Sequence, residues 1–151
     1  MSQAFKVEDR EGQHIRIFGG AEFLVKVSAE QSGGVFSLLD SLNPAGTFLP
    51  PHIHHNEDET FYILEGEFEF TVGDGAPIKA GAGATVYAPR GVPHSFRVTS
   101  SVPGRTLVLT HPGGFEKCME ALSKLPDASD MPSVLSTCAE HGIEFLPPPN
   151  V

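Results

Sequence analysis

The sequence predicts an all-β fold of many short antiparallel strands, with two short helices packed on its outside. Sixteen glycines and 13 prolines are scattered along the chain and divide it into short apolar runs, which is typical of such folds. The run EFEFTV (67–72) alternates apolar and polar residues, as a strand with one buried face does. After His111 the apolar residues change to helical spacing. With 151 residues, 40% of them hydrophobic, the chain can bury one sizeable core.

Short β-type runs bounded by turn residues are the predicted strands. Gly66 separates two of them and predicts the tip of a tight hairpin, where φ is positive. The stretch GDGAPIKAGAG, which starts at Gly73, is predicted to be a turn-rich crossing. The run at 60–65, TFYILE, is apolar on both sides and predicts a covering layer or partner chain. The predicted strands are 14–18, 22–27, 35–42, 45–49, 52–55, 60–65, 67–72, 84–89, 94–98 and 105–111.

The segment GGFEKCMEALSKL predicts an amphipathic helix that ends at Pro126. A second helix is predicted from Ser129 or Asp130 as the N-cap to Gly142 as the stop, and IEFLPPPN then continues as an extended tail. Both apolar stripes are interpreted as packing surfaces. The first consists of Phe115, Cys118, Met119, Leu122 and Leu125, and the second of Val134, Leu135 and Cys138.

Charge and composition limit the classes of partner. The net charge of −9 disfavours nucleic acid and anionic membrane surfaces, and no apolar run approaches the roughly 18 residues of a membrane span. The polar start MSQAFKVEDREG has no signal-peptide core, which favours a cytoplasmic protein. Cys118 and Cys138 are too few for a disulfide framework, so free thiols are expected.

Three histidines and a glutamate are predicted to meet in the interior. His52 and His54 are two residues apart, so on a strand they point to the same side. Glu59 has the parity of the inward-facing residues of the next strand, and His94 begins a later one. Burying these groups without partners is costly, whereas a divalent transition metal satisfies imidazole nitrogens and a carboxylate together.

The segment around these histidines has a regular spacing. Gly46 is followed after five residues by His52 and His54, after four more by Glu59, and after six more by Gly66. This pattern resembles the first motif of the cupins. A lone His-x-His pair is a weak signal, but agreement over five spaced positions is a strong one.

A second segment resembles the second cupin motif. Gly83 is followed after five residues by Pro89 and Gly91, and after two more by His94. After three more residues the family pattern ends in Asn, where this chain has Val98. That Asn is not a metal ligand in the family, so the departure leaves the metal argument intact.

The resemblance implies a jelly-roll β-barrel with a metal inside it near one mouth. By this resemblance 1–151 is a single cupin domain, with a barrel core at about 14–111 and a helical extension at 113–151. The implied metal ligands are His52, His54, Glu59 and His94.

The ligand set and the resemblance together suggest the chemistry. Nitrogen and oxygen ligands favour Fe, Mn, Ni, Co, Cu or Zn over Mg or Ca, and Glu59 is also the candidate proton acceptor. Gly-Gly-Phe-Glu (113–116) and the stretch at 141–148 resemble the quercetinase-like (flavonol dioxygenase) group. That resemblance implies a dioxygenase for an enolisable aromatic or flavonol-like small molecule. A non-redox lyase, isomerase or polyketide-type cyclase, and a non-enzymatic small-molecule-binding cupin, remain open.

The surroundings of the site are predicted with less detail. Arg90 and Arg97 are candidates for meeting an anionic substrate at the mouth, although surface positions are the plainer interpretation. His55 points away from His54 and is predicted at the surface. Most proteins of this family pair through their sheets, so a homodimer is expected. The candidate lining is Phe48, Phe61, Ile63, Phe68, Phe70, Phe96 and Val98, and the histidines without a motif are His14, His111 and His141.

Overall fold

Two antiparallel sheets enclose the interior of this protein. The computed structural model describes residues 3–147. Among them no helix combines the length and the apolar character that a membrane crossing requires. The elements are β1 (Gln13–Arg16), β2 (Glu22–Val27), β3 (Ser37–Asn43), β4 (Phe48–His54), β5 (Asp58–Glu65), β6 (Phe68–Val72), β7 (Ile78–Ala80), β8 (Thr85–Ala88), β9 (His94–Val98), β10 (Gly104–His111), α1 (Phe115–Ser123), α2 (Met131–Glu140) and β11 (Ile143–Phe145), with a 3₁₀ turn at Phe18–Gly20.

The sheets have the orders β1-β2-β3-β10-β5-β8 and β11-β4-β9-β6-β7. In the six-stranded sheet Val108 pairs with Leu39 on one side and Phe61 on the other. Residues paired in this way share a face, so the alternation of each strand sends one set of side chains inward. The two inner faces meet in an apolar core. Its buried members are Phe61, Ile63, Phe68, Phe70, Ala80, Val86, Ala88, Phe96, Val98 and Val108.

The two helices pack beside this barrel: α1 lies against β1 and β3 of the six-stranded sheet, and α2 lies against α1 and β11 of the five-stranded sheet. Asp130 caps α2 by accepting a hydrogen bond from the backbone N–H of Ser133 at 3.2 Å, as predicted for a helix start. Cys118 and Cys138 are buried here as free thiols. The buried apolar stripes of the two helices form one cluster with Ile15, Phe23, Val25 and Leu39. Leu135 is the exception, since it is largely exposed and does not belong to the buried stripe.

Several predicted boundaries were wrong, for physical reasons. The runs at 45–49 and 52–55 form one strand, β4, because a bulge between Leu49 and His52 carries the pairing with β9 across the prolines. The stretch after Gly73 contains the strand β7, in which Ala80 pairs with Phe68 of β6. Three residues among glycines and alanines are too short a signal to predict it.

Two further corrections concern the connections. Gly66 has a positive φ of 77°, but β5 and β6 lie in different sheets, so it makes a corner between sheets and not a hairpin tip. A Cβ there would lie 2.8 Å from the carbonyl oxygen of Pro103. The predicted extended tail includes β11, which pairs with β4 through Ile143–His54 and Phe145–His52. Leu146 and Pro147 continue the tail outside any strand, and its last residues, 148–150, lie outside the described residues.

Candidate metal centre

The four predicted ligands converge from three strands in both sheets. β4 contributes His52 and His54, β9 contributes His94, and β5 of the opposite sheet contributes Glu59. His52 and His94 are cross-strand partners. One ligand atom from each of the four residues lies within 4.8 Å of the others, and each residue is at most 3% exposed. The cluster therefore joins the two sheets at one buried point.

Glu59 lies at the centre of the cluster. Its Oε2 is 2.7 Å from Nε2 of His94 and 3.1 Å from Nε2 of His54. The ring centroids of His52 and His94 are 4.3 Å apart, and those of His54 and His94 are 5.4 Å apart. Three imidazole nitrogens and a carboxylate oxygen thus face a common point, which is a donor set suited to a divalent transition metal.

The hydrogen bonding of these atoms supports the same fit. Within residues 3–147, Glu59 Oε2 and both ring nitrogens of His94 are buried without a hydrogen-bond partner, because the short His94–Glu59 contact lacks hydrogen-bond geometry. Buried polar atoms are otherwise nearly always partnered. A bound divalent cation would satisfy Glu59 Oε2 and His94 Nε2 together, so the residues present fit such an ion.

Burial and charge act in opposition at this cluster. Burial, followed by the neighbouring His94, lowers the pKa of His52 to about 3, so this ring is neutral. Burial by itself would raise the pKa of Glu59, but the nearby imidazoles of His54 and His94 outweigh it and lower the pKa to about 2. Burial would lower the pKa of His54, but the carboxylates of Glu59 and Glu57 outweigh it and raise the pKa. The ionised Glu59 and the neutral His52 are in the protonation states that bind a metal, whereas the raised pKa of His54 means that a proton competes with the metal at that ring.

The second ring nitrogens have different partners. His52 Nδ1 donates to the carbonyl oxygen of Pro50 at 2.8 Å, and His54 Nδ1 lies 3.0 Å from Oε1 of Glu57, which is itself buried. Both contacts direct Nε2 toward the cluster. Sequence reasoning missed Glu57. The sequence shows Glu57 only as an acidic residue in a turn between His54 and Glu59. A side chain in such a position is ordinarily exposed to solvent, so nothing marked this one as buried.

Aromatic rings from the C-terminal segment cover the cluster. Phe145 of β11 lies 5.2 Å from the ring of His52, and Phe115 at the start of α1 lies 5.6 Å from the ring of His54. Phe61 approaches His94 edge-on at 6.1 Å. The predicted helical extension therefore contributes directly to the wall of the site.

Other candidate residues lie elsewhere. Phe48 is wrong as a lining residue: it is 48% exposed, and the guanidinium of Arg97 lies 4.5 Å above its ring. Arg97 is exposed, and its neighbours in β9, Phe96 and Val98, are the inward-facing ones. Arg90 is held by Asp58, with Nε 3.2 Å from Oδ1. The remaining predicted lining residues, Phe61, Ile63, Phe68, Phe70, Phe96 and Val98, belong to the barrel core.

The histidines outside the cluster have local partners or are exposed. His55 is exposed, as predicted, and its Nε2 lies 2.8 Å from Glu144. His14 lies 3.8 Å from Glu22, and His141 Nδ1 is 2.9 Å from the carbonyl oxygen of Thr137. His111 is exposed at the end of β10.

Comparison with known proteins places the chain in a family. The Cupin domain family matches residues 39–110, a segment that contains all four residues of the cluster. The structure of KdgF from Halomonas sp. aligns with a TM-score of 0.67 and 16% identity, covering 76% of this chain and 99% of that one. The chain belongs to the cupin superfamily.

Two curated relatives of this cupin are named as enzymes. Quercetin 2,3-dioxygenase from Bacillus subtilis is 31% identical over 112 residues, which are 74% of this chain and 33% of that protein. Dimethylsulfoniopropionate lyase DddQ from Ruegeria pomeroyi is 41% identical over 66 residues, which are 44% of this chain and 32% of that protein. The cupin spans about a third of the length of these two relatives.

Proposed function

We propose that this cupin binds one divalent transition metal ion through His52, His54, Glu59 and His94, and that it is a dioxygenase for an enolisable aromatic or flavonol-like small molecule. The observation that supports this most is the buried cluster of three imidazoles and one carboxylate, in which Glu59 and His94 have atoms without hydrogen-bond partners among residues 3–147. The similarity to quercetin 2,3-dioxygenase favours this substrate class.

Each residue of the cluster has a role in this proposal. A bound Fe, Mn, Ni, Co or Cu ion supplies Lewis acidity and the redox capacity that dioxygen chemistry requires. His52, His54 and His94 offer neutral nitrogen ligands, and three such rings with one carboxylate leave a divalent centre with a charge of +1. The cation at the centre of this set favours a substrate bound as its enolate.

Glu59 combines two roles. As an ionised carboxylate it is a ligand, and its remaining lone pairs can accept a proton at the carboxylate. As a metal ligand it stays ionised, so it takes a proton only from a group that binding has made acidic. An enol hydroxyl held in the site is such a group. Phe61, Phe115 and Phe145 beside the histidines exclude water from this transfer.

The experiment that tests the proposal combines elemental analysis with oxygen uptake. The purified protein should contain about one transition metal ion per chain, and oxygen should be consumed when flavonols or β-diketones are added. Protein loaded with a redox-capable ion that consumes no oxygen with any of these substrates would contradict the dioxygenase proposal. Protein that takes up no transition metal at all would contradict the metal centre itself.

Glu59→Gln separates the two roles of the carboxylate. The amide keeps an oxygen that can face the metal but loses the charge and the basic lone pair, so turnover should fall by about 100-fold or more while metal content falls less. Glu65→Gln, at the exposed end of the same strand, is the matched control and should keep both. Equal losses of metal and turnover in Glu59→Gln would show that Glu59 is a ligand only.

The second candidate function is a non-redox lyase, in which the ion only polarises a carbonyl or carboxylate. The similarity to dimethylsulfoniopropionate lyase DddQ favours it, because that match has the higher identity of the two although it covers less of the chain. Zinc in the purified protein, together with substrate turnover under strictly anaerobic conditions, would support the lyase. Turnover that requires oxygen would exclude it.

A further inference from the structure

Glu57 has a position that the four-ligand set does not explain. It is a buried carboxylate in the short connection between β4 and β5, and its Oε1 lies 3.0 Å from Nδ1 of His54. An ionised carboxylate has only acceptor atoms, so Nδ1 carries the hydrogen and donates it. His54 then presents the lone pair of Nε2 toward Glu59, 3.1 Å away.

We propose that Glu57 is a positioning residue of the metal centre, which holds His54 in the tautomer and orientation that binds the ion. The inference rests on the proposed metal site and deepens it. Metal-binding histidines commonly donate their second nitrogen to a carboxylate or carbonyl, and this partner fixes the ring and makes it a stronger ligand.

The three imidazoles differ in this respect. His52 donates to the neutral carbonyl of Pro50, whereas Nδ1 of His94 has no hydrogen-bond partner within residues 3–147. Among the described ligands, His54 is therefore the ring with a charged acceptor behind it. A hydrogen bond to an ionised partner is about twice as strong as a neutral one, so the contribution of Glu57 should be measurable separately.

The connection that carries Glu57 is held on both sides. The backbone N–H of His55 donates to the carbonyl oxygen of Gly142 at 2.8 Å, and the N–H of Gly91 donates to the carbonyl oxygen of His54 at 2.9 Å. Asp58, the next residue, accepts from the backbone N–H of Arg90 at 2.8 Å. These contacts leave the carboxylate little freedom to leave His54, as a positioning role requires.

Glu57 also changes the charge balance of the centre. The four ligands and a divalent ion sum to +1, and the adjacent carboxylate reduces the sum for the whole cluster to zero. A buried ion is less costly when its surroundings neutralise it. Removing the charge of Glu57 should therefore weaken metal binding twice, through the ring orientation and through the lost neutralisation.

The test compares Glu57→Gln with Glu144→Gln. Glu144 accepts a hydrogen bond from His55 at 2.8 Å but is exposed, so it is a matched glutamate–histidine pair outside the cluster. The probe is Zn²⁺, titrated into chelator-stripped protein in competition with a chelating dye. We expect Glu57→Gln to lower the affinity about 10- to 100-fold, and Glu144→Gln to leave it within twofold of wild type.

A second readout is the NMR spectrum of the imidazole protons. In the Zn²⁺-loaded wild-type protein, the Nδ1–H proton of His54 should give a slowly exchanging, downfield NMR resonance, because it is buried and donates to a carboxylate. In Glu57→Gln this resonance should move upfield, whereas in Glu144→Gln it should stay in place. A merely structural role for Glu57 would not produce this shift.

The outcomes separate this inference from the proposed function. Wild-type protein that binds Zn²⁺ but lacks the downfield resonance would overturn the role of Glu57 alone, as would a Glu57→Gln affinity within twofold of wild type. Wild-type protein that binds no Zn²⁺ would overturn both this inference and the metal centre. A failure of oxygen uptake with intact Zn²⁺ binding would leave the role of Glu57 supported and remove only the dioxygenase.

Discussion

The buried polar side chains of this cupin fall into two groups. Glu116 is buried but well partnered, since it accepts hydrogen bonds from the backbone of Ala29 at 2.7 Å and from the hydroxyl of Ser37 at 2.5 Å. The hydroxyl of Thr110 is fully buried and has no partner within residues 3–147. Thr110 pairs across the sheet with Ser37 on one side and Glu59 on the other, so the unpartnered hydroxyl lies beside the metal cluster.

Substituting the two hydroxyl residues should have opposite consequences for stability. Thr110→Val removes a hydroxyl that gains nothing from the protein, so the free energy of unfolding should stay within about 1 kcal/mol of wild type or rise. Ser37→Ala removes a donor to a buried carboxylate and an acceptor for the N–H of Gly114, and should cost about 1–3 kcal/mol. Urea denaturation of the metal-free proteins measures both values.

A large loss of stability in Thr110→Val would contradict this reading, because it would mean that the hydroxyl has a partner in the folded protein. If instead stability is kept but substrate affinity falls in the metal-loaded variant, the hydroxyl contacts the bound small molecule. Buried groups without partners concentrate at functional sites, where a ligand supplies the missing contact.

At the scale of elements, the junction between β10 and α1 determines where the cover of the site lies. Gly113 sits in this junction, and a Cβ there would lie 2.7 Å from the backbone of Phe36 and 2.9 Å from Cβ of Ala29. Two residues later Phe115 begins α1 and packs on the ring of His54. The close approach at Gly113 therefore places one wall of the metal centre.

Gly113→Ala should shift the start of α1 and destabilise the protein by about 1–3 kcal/mol, since backbone atoms cannot move aside cheaply. Gly81→Ala is the matched control: a Cβ there meets no atom of the described part of the chain within 4 Å, and its φ is outside the left-handed region. The control should be neutral or stabilising by up to about 1 kcal/mol. Thermal unfolding of both variants compares them, and equal effects would argue against the close approach.

At the scale of the whole molecule, the outer face of the six-stranded sheet carries several apolar side chains beside an ion pair. Opposite to the inward-facing residues of β3, β5, β8 and β10 lies a set of half-buried or exposed apolar side chains. Arg105 of β10 pairs with Asp40 of β3 at 2.6 Å, between the two central strands of the sheet. The apolar residues of this face include Leu38, Leu42, Tyr62, Tyr87, Leu107 and Leu109.

We expect this face to pair two copies of the chain. The mass in solution, measured by light scattering, should be twice the 16.1 kDa of one chain. Tyr62→Glu places a charge on the outer face of this sheet and should yield monomers, since a buried unpaired charge is costly. Ile78→Glu, similarly exposed at 46% against 44% but on the five-stranded sheet, should leave the mass unchanged. A wild-type mass of one chain would contradict the dimer.

The placement of His52 and His54 on one face was predictable from the sequence because it is local and periodic, whereas their meeting with Glu59 and His94 was implied by the family resemblance. Residues two positions apart on a strand lie on the same face, which brings His52 and His54 together. The strand β9 was predicted at its observed bounds, with His94 at its start. The spacing of the glycines and the histidines indicated the cupin family. Spacings between residues and the two-residue period of a strand can both be read directly from the sequence.

Only the tertiary structure decided the surroundings of the cluster. That Phe145 and Phe115 cover the histidines depends on a strand, β11, that joins β4 from the far end of the chain. That Glu57 contacts His54 depends on the path of a turn held by Gly142 and Gly91. Phe48, predicted inside, lies outside because the bulge in β4 changes its face relative to His52. Contacts between distant segments depend on how the elements pack against one another. The residue pattern of a single strand does not determine that packing.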